Sequence, residues 1–480
     1  MSNFTTVFLR KSRALVTSII ASCTLISSAA GASPDEEAAK ARALYDDWTA
    51  RGAPACIARA ADCSRHGETL FNAAHAFQAA GDRNKAIAAR MMLIDPKYHL
   101  EGSEIAKKTL FLLAGDYQNL TEYARSAEFA ESAVKVSPNA DAAPETLLNA
   151  TLLRLALGEM DQAVKNAEMY DKLFGAKKPA EAVKVWLGIA GTRIEKGEFK
   201  EAKATLGRVI ERVDRQAELR EKFLGHAFLA RTLAKLDDLK GAEKEYGQVR
   251  ALWSNAQVQT KLLNEAAENP RSLAKVLDVV GEALFFFAEQ KRKEVDAIQY
   301  PVYKGPSTMD GIRKHINTKL VDWIKTKKPA IETAEREYRK ILDLQPVPPP
   351  KWVVISASRV GTMWSTFVAE FRGAPIPEEW KKGGKIPGVT EATFEDIRKA
   401  YYAALDEASE PQKQTAKQSF KMCVDYSVKF QYHDEYSQSC QVWLEKHYPK
   451  EFVHVDEIIP AIRPAVTPLD GGLILPASSE

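Results

Sequence analysis

Leu157-Gly158-Glu159-Met160, Lys196-Gly197-Glu198-Phe199 and Leu236-Asp237-Asp238-Leu239 decide the fold of this chain. Each reads as a tight turn between two helices. Five residues after Gly158, Gly197 and Asp237 stand Ala163, Ala202 and Ala242, and seven before them stand Thr151, Ala190 and Ala230. Antiparallel helices approach to about 8 Å only where neither carries a bulky side chain, so each small pair marks a crossing point. Around it Leu147 and Ala150, Trp186 and Ile189, and Leu229 and Leu233 recur at the three- and four-residue spacing of one buried helix face.

Two earlier units follow the same plan. Leu70, Ala74 and Phe77 precede Gly81-Asp82, with Ala86 after the turn and Pro96 closing the unit. Leu110, Ala114 and Tyr117 precede a degenerate turn at Thr121, followed by Ser126, Ala130, Ala133 and Pro138. This order of large apolar, small, aromatic or leucine, turn and alanine resembles the tetratricopeptide repeat (TPR) family. The resemblance implies an all-α, TPR-like helical-repeat solenoid that binds other proteins. The second-helix positions Ala86, Ser126, Ala163, Ala202 and Ala242 lie 37 to 40 residues apart, against a family period of about 34. The helices or connections are therefore longer than the family's.

Upstream, Arg10, Lys11 and Arg13 precede an apolar run from Ala14 to Ile26 and then Ala30-Gly31-Ala32. Residues 1–32 read as a secretory signal peptide cleaved after Ala32. The run is too short to span a bilayer, and no later stretch approaches the roughly 20 apolar residues required. Ile20-Ala21-Ser22-Cys23 also resembles a lipobox, which makes a lipid anchor at Cys23 the alternative, although Leu25 and Ile26 continue the apolar run where a lipoprotein turns polar. Of 67 Lys plus Arg, the leader takes three and no acid, leaving 64 against 64 Asp plus Glu. A neutral chain lacks the basic excess of a nucleic-acid binder. Lys325, Lys327 and Lys328, and Lys381, Lys382 and Lys385, read as solvated faces or loops.

Four cysteines remain after the leader. In an exported chain the close spacing favours Cys56 with Cys63 and Cys423 with Cys440, two other pairings and free buried thiols remaining open. Seven residues of continuous helix rise about 10.5 Å, too far for a bridge. Cys56–Cys63 therefore requires a bend, for which Gly52-Ala53-Pro54 and the cap-like Asp62 and Ser64 stand ready.

Residues 33–66 form an N-terminal helix (Ala41, Leu44, Tyr45, Trp48) and the cysteine segment, and 67–300 the repeats, with a sixth first helix through Leu277, Val280, Gly281, Leu284 and Phe285-Phe286-Phe287. Residues 301–450 are further helical repeats, opened by a long helix over 307–345 that Ser307 and Asp310 cap, with a polar interruption at Lys327 and a kink at Pro329. Its partner runs from Trp352 to Phe371. A Pro/Gly/Lys loop over 373–388 leads to helices over 390–408, 411–430 and 435–447, and 451–480 is a Pro/Gly-rich tail. Three blocks, Gly281 to Ala288, Ala334 to Phe371 with Arg359-Val360-Gly361, and Cys423 to Leu444, resemble exported TPR proteins of myxobacteria. Some of those serve envelope-spanning gliding-motility machinery. That resemblance implies a periplasmic scaffold whose partners are other protein subunits of an envelope complex.

For catalysis the sequence offers no Gly-x-Ser-x-Gly elbow, phosphate-binding Gly-rich loop, His-Glu-x-x-His or dinucleotide fingerprint. His447, His454, Asp456 and Glu457 are the best metal candidates, in an order that matches no ligand motif, and the acids of His433-Asp434-Glu435 suit a helix N-terminus. The chain is therefore read as a non-enzyme without cofactor. The rival class is a peptidoglycan-acting enzyme built on a helical superhelix. In TPR domains that clamp a peptide carboxylate, first-helix residues are Lys, Arg and Asn. The matching offsets here hold Leu148 and Leu152, Leu187 and Gly191, and Ala227 and Arg231, an apolar lining suited to the apolar face of a partner helix.

Overall fold

The computed structural model describes residues 33–268, 270–386 and 392–452. The leader with Cys23, and the tail from 453 on with His454, Asp456 and Glu457, lie outside the described residues. The chain divides into two compact units, the first ending at Leu262 and the second starting at Leu263. Among the described residues the fold is all-α, with one isolated backbone bridge between Lys385 and Thr393.

The first unit is a TPR-like solenoid. Helix α1 (Pro34–Asp47) starts in a capping box, the Ser33 N–H donating to the Glu36 carboxylate at 2.7 Å, and a π turn (Trp48–Gly52) leads to the short α2 (Ala53–Ile57). Five hairpins follow: α3 (Cys63–Ala79) with α4 (Arg83–Ile94), α5 (Glu104–Asn119) with α6 (Tyr123–Val136), α7 (Ala143–Ala156) with α8 (Met160–Phe174), α9 (Pro179–Glu195) with α10 (Phe199–Gln216), and α11 (Leu219–Lys235) with α12 (Leu239–Ser254). Each packs on the next through α4 and α5, α6 and α7, α8 and α9, and α10 and α11, the nearest-neighbour stacking of a repeat protein.

All five hairpins turn by one device. Gly81, Thr121, Gly158, Gly197 and Asp237 are left-handed, with φ of 84°, 63°, 80°, 77° and 59°. The N–H of each bonds three residues back, and the next N–H five back, as from Asp82 to Phe77 and Glu122 to Tyr117, both at 2.9 Å. This is the Schellman closure of a helix C-terminus. Thr121 is thus a regular turn residue, not a degenerate one: the paired hydrogen bonds hold a β-branched residue where glycine is favoured. The ten crossing residues are at most 7% exposed. At one crossing the Ser126 hydroxyl donates to the Ala114 carbonyl at 2.8 Å, tying the helices where they are closest.

Cys56 and Cys63 are bonded, with Cα atoms 4.7 Å apart. Gly52-Ala53-Pro54 stays helical, however, and the bend lies beyond it at Ala58–Asp62, where Arg59 has φ 55°. Gly52 serves close packing instead, since a Cβ there would lie 2.6 Å from Trp48 Cε3. Asp62 makes no side-chain cap and lies 3.2 Å from His66 Nε2.

The second unit contains α14 (Pro270–Ala297), α15 (Met309–His315), α16 (Val321–Leu342), α17 (Pro350–Arg372), α18 (Glu378–Lys382), α19 (Phe394–Phe430) and α20 (Glu435–His447); α13 (Ala256–Glu268) spans the division between the units. Helix α16 packs on α14 and α17, forming the expected long hairpin with α17, which in turn packs along α19. A Cβ on Gly361 would sit 2.8 Å from the Phe420 ring, so glycine sets how closely α17 and α19 approach. Cys423 and Cys440 are bonded across the α19–α20 turn, with Cα atoms 6.4 Å apart.

Several expectations for this unit change. Thr308, not Ser307, caps α15, accepting from the Gly311 N–H at 3.3 Å, while the Ser307 carbonyl accepts from Glu378 N at 3.3 Å. The long helix contains a π turn over Ile316–Leu320, while Pro329 lies inside α16, where the sequence places it. Residues 394–430 form one helix rather than two, with Pro411 inside it. An interior proline loses one backbone hydrogen bond; burial of Ala416, Phe420 and Cys423 holds the helix together through it, and the Ser409 hydroxyl donates to the Leu405 carbonyl at 2.8 Å one turn earlier. The 373–388 loop contains α18, anchored by buried Trp380, whose ring lies 5.6 Å from that of Tyr401.

Candidate functional site

Leu148 and Leu152 on α7 are half-buried, as are Gly191 on α9 and Arg231 on α11. Leu187 and Ala227 are not groove residues: at 4% and 0% exposure both belong to the interior, Leu187 among Val183, Trp186 and Ala190. The reason is direct contact between α9 and α11, where a Cβ on Gly191 would stand 3.2 Å from the Phe228 ring. The Arg231 guanidinium lies 5.6 Å from the centre of that ring. The same offsets applied to the first two hairpins give Phe71 and His75 on α3, with rings 4.5 Å apart, and Phe111 and Gly115 on α5. Phe71 and Phe111 are half-buried and extend the row. The turn offsets in the sequence were sufficient to find them.

Every junction between consecutive hairpins carries a polar key. Between the first and second, fully buried Arg90 on α4 reaches Asp116 on α5 while also holding Gln78 of its own hairpin. Between the second and third, Arg154 on α7 makes a bidentate bond to Glu131 on α6, at 2.8 and 2.9 Å, and Asn166 donates to the same carboxylate at 2.7 Å. Between the third and fourth, Asp171 on α8 accepts from Trp186 Nε1 at 2.7 Å and from Arg212 at 2.9 and 3.1 Å. Between the fourth and fifth, His226 on α11 lies 2.9 Å from Asp214 on α10, with its other ring nitrogen 2.7 Å from Glu245 on α12. Burial pushes the Asp116 carboxyl above its ordinary range despite Arg90. At Glu131 burial is outweighed by the hydrogen bonds from Arg154 and Asn166, which hold the carboxyl below that range.

In the second unit residues of the second and third sequence blocks meet around Glu289, the residue that follows the first block. This carboxylate on α14 accepts from the Tyr338 hydroxyl and from Arg292, and lies 3.3 Å from Arg359 Nε on α17. The Arg359 guanidinium also covers the ring of Tyr436 on α20, 5.1 Å from its centre. Nearby, Trp364 Nε1 donates to Glu335 at 2.8 Å and Trp352 Nε1 to Asp278 at 3.0 Å. Burial and the adjacent Glu289 push the Tyr338 hydroxyl far above its usual value. The phenol therefore stays a hydrogen-bond donor, and the cluster acts as a fixed joint among α14, α16, α17 and α20.

Lys327 reads as a surface interruption in the sequence but is 5% exposed. Its ammonium donates to the carbonyls of Val295 and Ile298, at 3.0 and 2.9 Å, and lies 3.8 Å from Glu370. It caps the C-terminus of α14, where unpaired carbonyls favour a cation. Lys381, Lys382 and Lys385 are exposed as expected. Asp434 caps α20, accepting from Tyr436 and Ser437 N–H at 3.0 and 2.9 Å. His447 stacks on Trp443 at 4.4 Å, and among the described residues no cluster of three His, Cys, Asp or Glu is placed to hold a metal. No described helix is long and apolar enough to cross a membrane.

No protein-family profile matches the chain, and no curated protein matches it. Among solved structures it is similar to one titled crystal structure of BtubC (BKLC) from P. vanneervenii, at 16% identity and TM-score 0.26, covering 44% of this chain and 85% of that one. It is also similar to one titled structure of Naa15/Naa10 bound to HypK-THB, at 12% identity and TM-score 0.32, covering 86% of this chain and 59% of that one.

Proposed function

We propose that this protein is an exported, non-catalytic scaffold or adaptor subunit of a cell-envelope assembly that holds an apolar segment of a partner protein along the first helices of its hairpins. The observation that carries this reading is the five-hairpin stack with its row of half-buried apolar side chains, Phe71, Phe111, Leu148 and Leu152. Stacked repeats create extended binding surfaces, and an amphipathic helix binds such a surface through its apolar face. Two bonded cysteine pairs suit an oxidising compartment such as the periplasm. Gliding-motility machinery is the assembly suggested by the likeness of the three sequence blocks.

Leu152→Glu tests the row. Loss of the partner that co-purifies from the native cells, with the melting transition unchanged, is the expected result. A fall in stability of about 2 kcal/mol or more, as for a charge forced into a core, would make Leu152 a packing residue and end the groove reading. Release of soluble peptidoglycan fragments by the purified protein would replace the scaffold with the cell-wall enzyme.

Intact mass of the protein from its own cells tests export and redox state together. The expected chain starts at Ser33, carries no lipid and gains four hydrogens on reduction. A start at diacylated Cys23 would make it a lipid-anchored protein, and an unchanged mass on reduction would mean free thiols.

A further inference from the structure

We infer that His226 is a proton-operated fastener between the fourth and fifth hairpins, closed when the imidazole is charged and open when it is neutral. Eleven residues before the turn, the other hairpins place Leu70, Leu110, Leu147 and Trp186, and the fifth places His226, 5% exposed. Its Nδ1 is 2.7 Å from Glu245 and its Nε2 is 2.9 Å from Asp214. A carboxylate only accepts, and a neutral imidazole has a single N–H. Both bonds therefore exist together only in the imidazolium form.

The two links are unequal. Glu245 lies within the fifth hairpin, with 11% of its side chain exposed, whereas Asp214 belongs to the fourth and is 57% exposed. When the proton leaves, the buried Glu245 retains the remaining N–H and Asp214 is rehydrated. The bond that opens is therefore the one between hairpins. Backbone packing keeps the ring in place, because a Cβ on Gly225 would meet Val213 of α10 at 2.8 Å. Several charges on α11 and on the helices beside it are engaged elsewhere. On α10, Arg212 holds Asp171 and Arg215 holds Glu211; on α11, Arg220 holds Glu221 and Lys222 the Asp214 carbonyl; on α9, Lys184 holds Glu218.

Burial alone would lower the affinity of His226 for its proton, but the hydrogen bonds to Glu245 and Asp214 outweigh it and raise the pKa. A raised histidine pKa stabilises the fold fully below the unfolded value, and that contribution is lost as pH rises through the folded one. The junction is thus tight in acid and loose in mild alkali. If the scaffold reading holds, half-buried Arg231 on the same helix carries this change to the partner-facing side.

The test uses the full mature chain without a partner, so its outcome is independent of the scaffold reading. The His226 ring is followed by NMR from pH 5 to about 9.5, its signal identified by its absence in His226→Gln, alongside hydrogen exchange of α11 amides. The expected midpoint lies above the ordinary histidine value of about 6.5, and Asp214→Asn, a change at an exposed side chain, moves it down. Protection of α11 should fall with rising pH more in the wild type than in Asp214→Asn, by about tenfold for each unit separating their midpoints. A midpoint at or below the ordinary value, or identical pH dependence of protection in the two proteins, overturns the fastener.

Discussion

Arg154→Met is expected to destabilise the first unit by about 3–5 kcal/mol, the cost of leaving a buried charge without its partner. The methionine fills the space of the aliphatic stem but supplies no donor to Glu131, which would keep only the Asn166 bond. Adding Glu131→Leu should recover part of the loss, because it removes the unpaired charge but leaves the buried Asn166 amide without its acceptor, at a cost of about 1–3 kcal/mol. Urea midpoints of the wild type, both single variants and the double variant measure this. A single-variant loss below about 1 kcal/mol would show Glu131 reaching water and would sink the idea of a buried key.

Lys327→Met should cost the second unit a similar amount, about 3–5 kcal/mol, with a different pattern of rescue. The ammonium serves two backbone carbonyls, Val295 and Ile298, as well as facing Glu370. Removing the carboxylate by Glu370→Met leaves those carbonyls at the end of α14 unpaired, so the double variant should remain well below wild type. Complete rescue by Glu370→Met in the same denaturation series would reduce Lys327 to half of an ion pair and overturn its role as a helix cap.

Local rules made the hairpins legible. Gly158 and Gly197 announce left-handed turns, and the alanines at fixed offsets announce close crossings, all within a dozen residues. Thr121 was harder than Asp237, because its turn is specified by its hydrogen bonds as much as by its residue. Pro411 misled for the converse reason: helix-breaking is a local cost, and burial along α19 outweighs it. Of the residues expected to line a groove, Leu148 and Leu152 are half-buried, whereas Leu187 and Ala227 are interior because their burial depends on how closely α9 and α11 approach. Long-range polar partners left no trace in the sequence pattern. Arg90 and Asp116 are 26 residues apart, Glu131 and Arg154 23, Asp171 and Arg212 41, and Asp214 and His226 12. No period predicts such pairs. His226 could have been noticed as the one polar residue in an otherwise apolar column, and Lys327 stands out as the polar interruption of its helix's apolar face, though nothing in the pattern names the carbonyls it serves.

The signs of the junction keys give the stack a grammar. The first hairpin offers a cation to its successor, and the second receives it with an anion. From the second onward each hairpin offers an anion, Glu131, Asp171 and Asp214, and is met by a cation, Arg154, Arg212 and His226. The second hairpin is consequently anionic on both faces and is the one that can follow the first. Splicing the third directly onto the first would leave Arg90 without its carboxylate, and repeating the second would leave the first Glu131 without its arginine. The array therefore does not tolerate insertion or deletion at its head as a uniform solenoid does. Where consensus repeats can be lengthened freely, this one has a fixed order, because each of its four keys joins a pair of positions that no other junction uses.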